Sequence, residues 1–191
     1  YYNASDFVGV TNPKIKDLVI STNPDGKVKL IEELYDKVDN PDGKLKVYDT
    51  IFAETLYKYY VLELNKGPEN GVSPAFSDKV RAVYEGSLLD GTVFDSAVTP
   101  VDFHLIGNRT TTFGTIAGWR KVFPFFNVAE ALVDGGDGTN NYTNHGTGVM
   151  FLPSGLAYFS NPPTGSGIPA YYPLVFKFEL LQSFVNDHDN D

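Results

Sequence analysis

From Val80 the sequence alternates, with Val80, Ala82 and Tyr84 interleaved with Arg81, Val83 and Glu85. A period of two places one set on each face of a β-strand and is incompatible with an amphipathic helix. Leu89-Asp-Gly91 then supplies the backbone angles of a tight reversal, and Thr92-Val-Phe94 resumes the extended pattern. The prediction is a β-hairpin whose second arm delivers an aromatic ring, Phe94, directly beside an acid, Asp95. The single tryptophan of the chain, Trp119, follows a short distance downstream. An aromatic, an acid and a tryptophan brought together suggest a binding pocket.

A hairpin needs further strands to bury its inner face. Hydrophobic residues make up 42% of the 191 residues and aromatics 14%, enough for a packed core, and the abundance of Val, Tyr, Phe and Thr favours sheet over helix. A formal net charge of −9, with basic residues scattered and never three in a row, disfavours a nucleic-acid partner. Without cysteine there is no thiol nucleophile, disulfide framework or Cys-based metal site. No apolar run approaches the roughly 18–20 residues of a membrane span.

Residues 1–55 read as an N-terminal extension, residues 56–183 as the main domain and residues 184–191 as an acidic tail. The extension holds a near repeat, Asn23-Pro-Asp-Gly-Lys-Val-Lys-Leu30 and Asn40-Pro-Asp-Gly-Lys-Leu-Lys-Val47, each opening on a turn signal. Between them Leu30, Ile31, Leu34, Tyr35 and Val38 have the spacing of an amphipathic helix. This region reads as a cover for a sheet edge, with a homodimerisation arm as the second reading. Leu56 to Leu64 reads as a strand, Pro100 to Leu105 as a short strand after a loop, and Leu174 to Leu181 as a half-buried final strand.

Taken in order, Tyr84, Gly86-Ser-Leu-Leu-Asp-Gly91, Phe94-Asp-Ser96, Phe103-His-Leu105, Ile116-Ala-Gly-Trp119, Leu156-Ala-Tyr158, Ile168-Pro169 and Leu174-Val-Phe-Lys-Phe-Glu-Leu-Leu181 resemble the signature of the FKBP-type peptidyl-prolyl cis-trans isomerases, bacterial members with N-terminal extensions among them. The resemblance runs from about Leu56 to Gln182. It implies an α+β fold, a curved antiparallel sheet wrapped around one short helix beginning near Ala117, with Trp119 as the pocket floor.

By position the resemblance implies Tyr84, Asp95 and Tyr158 as catalytic residues, and Phe94, Val101, Thr115, Ile116, Trp119, Ile168 and Phe176 as substrate-binding residues. It further implies that the Ile116 N–H and the Tyr158 hydroxyl hold substrate carbonyls, and that Asp95 sits near the twisting amide. The implied activity is rotation of Xaa-Pro bonds in protein clients. Such a reaction needs neither nucleophile nor metal, and no cofactor is expected. Histidines 104, 145 and 188 show no ligand spacing, and the Asp134–Asn141 run lacks the acidic twelfth residue of a calcium loop, so it reads as a turn.

Several positions depart from the family's pattern. Val101 stands where an aromatic is common, Thr115 where a valine is usual, and Phe159 where a glycine is usual. Ile106 to Gly114 reads as an insertion before the helix, and Arg120 to Gly148 as a larger one in which Pro124 interrupts any helix. Ser160 to Ala170 matches the flap over the proline site. These departures keep open a second reading, a non-catalytic module or chaperone that grips proline-containing segments. A start at Tyr1 rather than Met, with the resemblance to cell-envelope relatives, gives the expectation of export to the periplasm or cell envelope.

Overall fold

The computed structural model describes residues 14–15, 45–107, 114–136 and 138–185. The expected helix at Leu30 to Val38, the first near repeat, part of the Ile106–Gly114 insertion and the acidic tail from Asn186 lie outside the described residues.

Alternation dictates the strands. In β2 (Thr55–Asn65), Tyr57, Tyr59 and Val61 turn to one side and Tyr60, Leu62 and Leu64 to the other. In β3 (Lys79–Ser87), Val80, Ala82 and Tyr84 share the side of Tyr59 and Val61. With β1 (Leu45–Phe52), β4 (Val93–His104), β7 (Gly146–Leu152) and β8 (Leu174–Phe184) they form a six-stranded antiparallel sheet in the order β1-β2-β7-β8-β3-β4. A separate two-stranded ribbon, β5 (Ala131–Asp134) and β6 (Asn140–Thr143), flanks the Asp134–Asn141 turn.

The main core lies between the inner face of the sheet and the one α-helix among the described residues, α1 (Ala117–Val122). Gly118 lets the helix approach β7 closely, since a Cβ there would lie 2.3 Å from Leu152 Cδ1. The helix is short because Pro124 follows, and the chain continues as one 3₁₀ turn over Phe123–Phe125. This is the α+β arrangement expected, with one short helix packed on an antiparallel sheet.

Three expectations change in the structure. Leu45–Phe52 pairs along its length with Leu62 back to Thr55, so the sheet crosses the boundary expected at residues 55 and 56. Ala53 and Glu54 close that hairpin with φ of 47° and 63°, the left-handed pair a two-residue turn requires. Second, Pro100–Leu105 is not a separate strand. Ala82 pairs with Val101 but Tyr84 with Ala97, so β4 carries extra residues at Val98 to Pro100 as a bulge on the sheet edge, where a proline's missing N–H costs no ladder bond. Third, Leu174 to Leu181 is buried on both faces rather than half-buried. β8 is flanked by β7 and β3, its inner residues Leu174, Phe176, Phe178 and Leu180 meet the helix side, and Val175 joins Leu45, Leu62, Leu64 and Val149 on the outer side.

Lys14 and Ile15 are seated on that outer side. The Ile15 N–H donates to Glu179 Oε1 at 2.8 Å, and Lys14 Nζ lies 2.9 Å from His145 Nε2 and 3.4 Å from Glu179 Oε2. Glu179 and His145 are almost fully buried, and these contacts give the buried carboxylate its partners.

Candidate active site

The helix is set against the sheet by its first residues. The Thr115 N–H donates to the His104 and Leu105 carbonyls, both at 3.2 Å, and its hydroxyl donates to the Leu105 carbonyl at 3.2 Å. Those bonds tie the start of α1 to the end of β4 and fix where Trp119 falls. Four rings hold Trp119 by edge contacts, with centroids at 5.2 Å for Tyr84, 5.0 Å for Phe103, 5.1 Å for Phe123 and 5.4 Å for Phe176. Edge-to-face packing of this kind adds to plain burial and fixes ring orientation. Trp119 is only 4% exposed, and its Nε1 finds no acceptor in the fold.

Above this floor opens a cavity of about 260 Å³, lined by Tyr84, Asp95, Thr115, Ile116, Trp119, Tyr158 and Phe176 together with Asp102, Phe103, His104 and Gly114. That volume is just below the roughly 300–1,000 Å³ of most small-molecule pockets, so it suits one small ring and its flanking amide better than a large ligand.

The polar groups gather at the rim. Tyr84 donates its hydroxyl to Asp95 Oδ2 at 2.6 Å. Burial and then the bond to Asp95 push the Tyr84 phenol well above its ordinary range, and burial followed by the Asp95 charge does the same for Tyr158. Both phenols are therefore protonated donors throughout the neutral range. Asp102 accepts from Arg81 Nε at 2.6 Å, Arg81 Nη2 at 3.1 Å and Lys79 Nζ at 3.3 Å. The Arg81 guanidinium holds its carboxyl below the usual carboxylate range.

Seven of the ten expected site residues thus meet at one cavity: Tyr84, Asp95, Thr115, Ile116, Trp119, Tyr158 and Phe176. Three do not line it. Phe94 stands behind Phe176, ring centroids 5.6 Å apart at 87°, and Gly86 makes that contact possible, because a Cβ there would lie 2.7 Å from Phe94 Cζ and 2.8 Å from Phe176 Cε1. Val101 sits half-buried opposite Ala82. Ile168 is 8% exposed and packs into the main core.

Sequence reasoning missed Phe103, Asp102, His104 and Gly114 as lining residues. For Phe103 the signal was present, since residues two apart on a strand share a face and Val101 had been singled out. The longer Phe103 side chain, two residues on, is the one that reaches Trp119.

A like fold occurs in solved isomerases. A peptidyl-prolyl cis-trans isomerase from Pseudomonas syringae pv. tomato superposes with a TM-score of 0.52 at 21% identity, covering 80% of this chain and 88% of that one. FkpA from Escherichia coli gives 0.51 at 23% identity, covering 80% of this chain and 56% of that one. At such identities these likenesses carry the fold. In sequence, the FKBP-type 22 kDa peptidyl-prolyl cis-trans isomerase of Escherichia coli is 32% identical over 122 residues, 62% of this chain and 47% of that protein. Over that region the chain is similar to the FKBP-type isomerases.

A macrophage infectivity potentiator from Trypanosoma cruzi is 35% identical over 114 residues, 57% of this chain and 45% of that protein. No protein-family model matches the chain. The chain spans less than half the length of these curated relatives. Within the family's pattern, Thr115 here has a second task besides lining the cavity, because its hydroxyl is engaged with the Leu105 carbonyl as a helix anchor.

Proposed function

We propose that this chain is an FKBP-type peptidyl-prolyl cis-trans isomerase that rotates Xaa-Pro bonds of protein clients. The observation that carries the reading is the small, ring-walled cavity over Trp119 with the Tyr84–Asp95 pair at its rim. The rotation barrier of roughly 18–20 kcal/mol comes from amide resonance, and unaided it takes tens to hundreds of seconds. Twisting the bond abolishes the resonance, localises the nitrogen lone pair and lowers the polarity of the amide. An apolar, water-poor cavity favours such a state over the planar one.

In this reading the proline ring enters the cavity against Trp119, between Phe103, Phe176 and Ile116. By the family resemblance the Ile116 N–H and the Tyr158 hydroxyl hold substrate carbonyls. Asp95, oriented by Tyr84, acts electrostatically at the twisting amide. Phe94 serves the site by backing Phe176, and Ile168 by holding the flap to the core. Val101 contributes only through its strand.

The test is an isomerisation assay on short Xaa-Pro peptides, comparing the wild-type chain with Asp95→Ala and Tyr158→Phe. Acceleration by the wild type, lost in the variants, is expected. Peptide binding without acceleration would replace the enzyme by a non-catalytic binding module. Self-association through the N-terminal region and a cell-envelope location belong to the same proposal, tested by sedimentation and by cell fractionation. Because Leu45–Phe52 is a sheet strand, the truncation used for sedimentation should stop before Leu45.

A further inference from the structure

On the outer side of the sheet a histidine is buried against a lysine. His145 is fully buried, directly before β7, and Lys14 Nζ lies 2.9 Å from its Nε2. An ammonium group has only donors to offer, so Nε2 accepts and the ring proton sits on Nδ1. There it donates to Thr147 Oγ1 at 3.0 Å, while the threonine hydroxyl turns to the His145 carbonyl at 3.4 Å. The Asn65 amide donates to the same carbonyl at 2.9 Å. The imidazole is therefore neutral and held in one tautomer, and Lys14 selects that tautomer.

A second proton on the ring finds no acceptor in this arrangement. It puts an N–H on Nε2, which then meets the Lys14 ammonium donor to donor and cation to cation. The charged groups facing the ring are Lys14 and, from β8, Glu179, whereas β2 and β7 contribute the neutral Asn65 and Thr147. The next ionised groups on that side, Lys177 and Glu85, are paired with each other at 2.5 Å. Glu179 cannot serve both cations. Its Oε1 accepts from the Ile15 N–H at 2.8 Å, and its Oε2 lies 3.4 Å from Lys14 Nζ and 3.6 Å from His145 Nε2. The imidazole is enclosed, whereas the Lys14 side chain is 35% exposed and can turn its charge to water.

We propose that His145, Lys14 and Glu179 form an acid-released latch, which holds Lys14 and Ile15 on the sheet at neutral pH and lets them go when the His145 imidazolium takes Glu179 from Lys14. Burial, and then the Lys14 charge, place the exchange below the ordinary histidine value of about 6.5. Release changes the surface. Lys14 and Ile15 wall a cavity of about 380 Å³ over Val83, Ala97 and Leu181, and without them this apolar patch opens to solvent.

The test is amide hydrogen exchange on the full chain, expressed as protection relative to the intrinsic rate at each pH. Between about pH 7.5 and 5 the Ile15 amide should lose protection by about tenfold, Phe178 in the middle of β8 should keep its own, and neutralisation should restore the difference. His145→Gln and Lys14→Met each remove one of the two competing cations, so in both variants Ile15 protection should change by less than about twofold over the same interval. Unchanged Ile15 protection in the wild type overturns the proposal. So does an equal loss at Phe178, the mark of general acid unfolding, and so does a full loss at Ile15 that persists in either variant, which would place the sensor elsewhere. Should His145→Gln fail to fold, Lys14→Met, altered at a partly exposed side chain, decides alone.

Discussion

Tyr84 and Asp95 stand on adjacent strands just beyond the β4 bulge, and the phenol donates to the carboxylate across 2.6 Å at the cavity rim. The bond orients Asp95 without neutralising it. Tyr84→Phe should therefore lower kcat/KM by a few-fold and Asp95→Ala by about tenfold, a loss of roughly 1.4 kcal/mol of transition-state stabilisation. Since both Tyr84 and Tyr158 titrate above their ordinary value, the activity of the wild type should stay level between about pH 7 and 9. A decline across that interval, read in the peptide assay, would contradict the donor role of the two phenols.

Trp119 is held by four rings, so its loss should cost stability as well as activity. Trp119→Ala is expected to destabilise by about 3–5 kcal/mol, the range for large aromatic truncations in cores, measured by denaturant unfolding.

Gly86→Ala tests the wall behind the cavity. The new methyl group would press on Phe94 and Phe176 at 2.7 and 2.8 Å, and overpacking of this kind costs about 1–3 kcal/mol. Activity should fall with it, because Phe176 is itself a lining residue. An unchanged kcat/KM would mean that the wall has room to move.

His145 predicts a dependence of stability on pH. It is fully buried, with Thr147 Oγ1 3.0 Å from Nδ1, Lys14 Nζ 2.9 Å from Nε2 and Glu179 Oε2 3.6 Å from Nε2. Burial first, then the Lys14 charge, lowers its pKa, with Glu179 opposing. The unfolded chain takes up its proton near pH 6.5, while the folded chain does so only at lower pH. Stability from this group is thus present above about 6.5 and lost as pH falls from there to the folded value. The thermal midpoint should drop on acidification through that window, and His145→Gln should flatten the drop.

Asp102 gives a second, more acidic limb. Its depressed pKa, set chiefly by Arg81, contributes stability above about pH 3.9 that is lost as pH falls through the folded value. In unfolding measurements at low pH, Asp102→Asn should flatten this limb and leave the one near neutrality in place.

Local signals made much of this fold legible. The Val80–Tyr84 alternation and the Asp-Gly reversal are each settled within a few residues, and the structure has the hairpin they predict, whereas the short helix was implied by the family resemblance. Of the residues that the resemblance implied for the site, seven line one cavity. What was not legible depends on partners far away in sequence. Pro100 looked like a strand boundary because a bulge on an edge strand carries no sequence mark of its own. Leu174 to Leu181 looked half-buried because nothing in its alternation says that it lies between two strands. Ile168 points to the core, not the cavity, because the route of a flap is set by what it packs on.

The strand order has a consequence for synthesis. β8, the last strand among the described residues, lies between β7 and β3, and it alone joins the block β1-β2-β7 to the block β3-β4. A chain emerging from the ribosome holds two unjoined strand groups until the residues of β8 have cleared the exit tunnel. Until then Tyr84 and Asp95 belong to a different block from Leu152, the neighbour of the helix. The cavity therefore cannot form before β8 has emerged, and in nascent chains stalled before Leu174 the β3-β4 hairpin should be more protease-sensitive than in the complete fold.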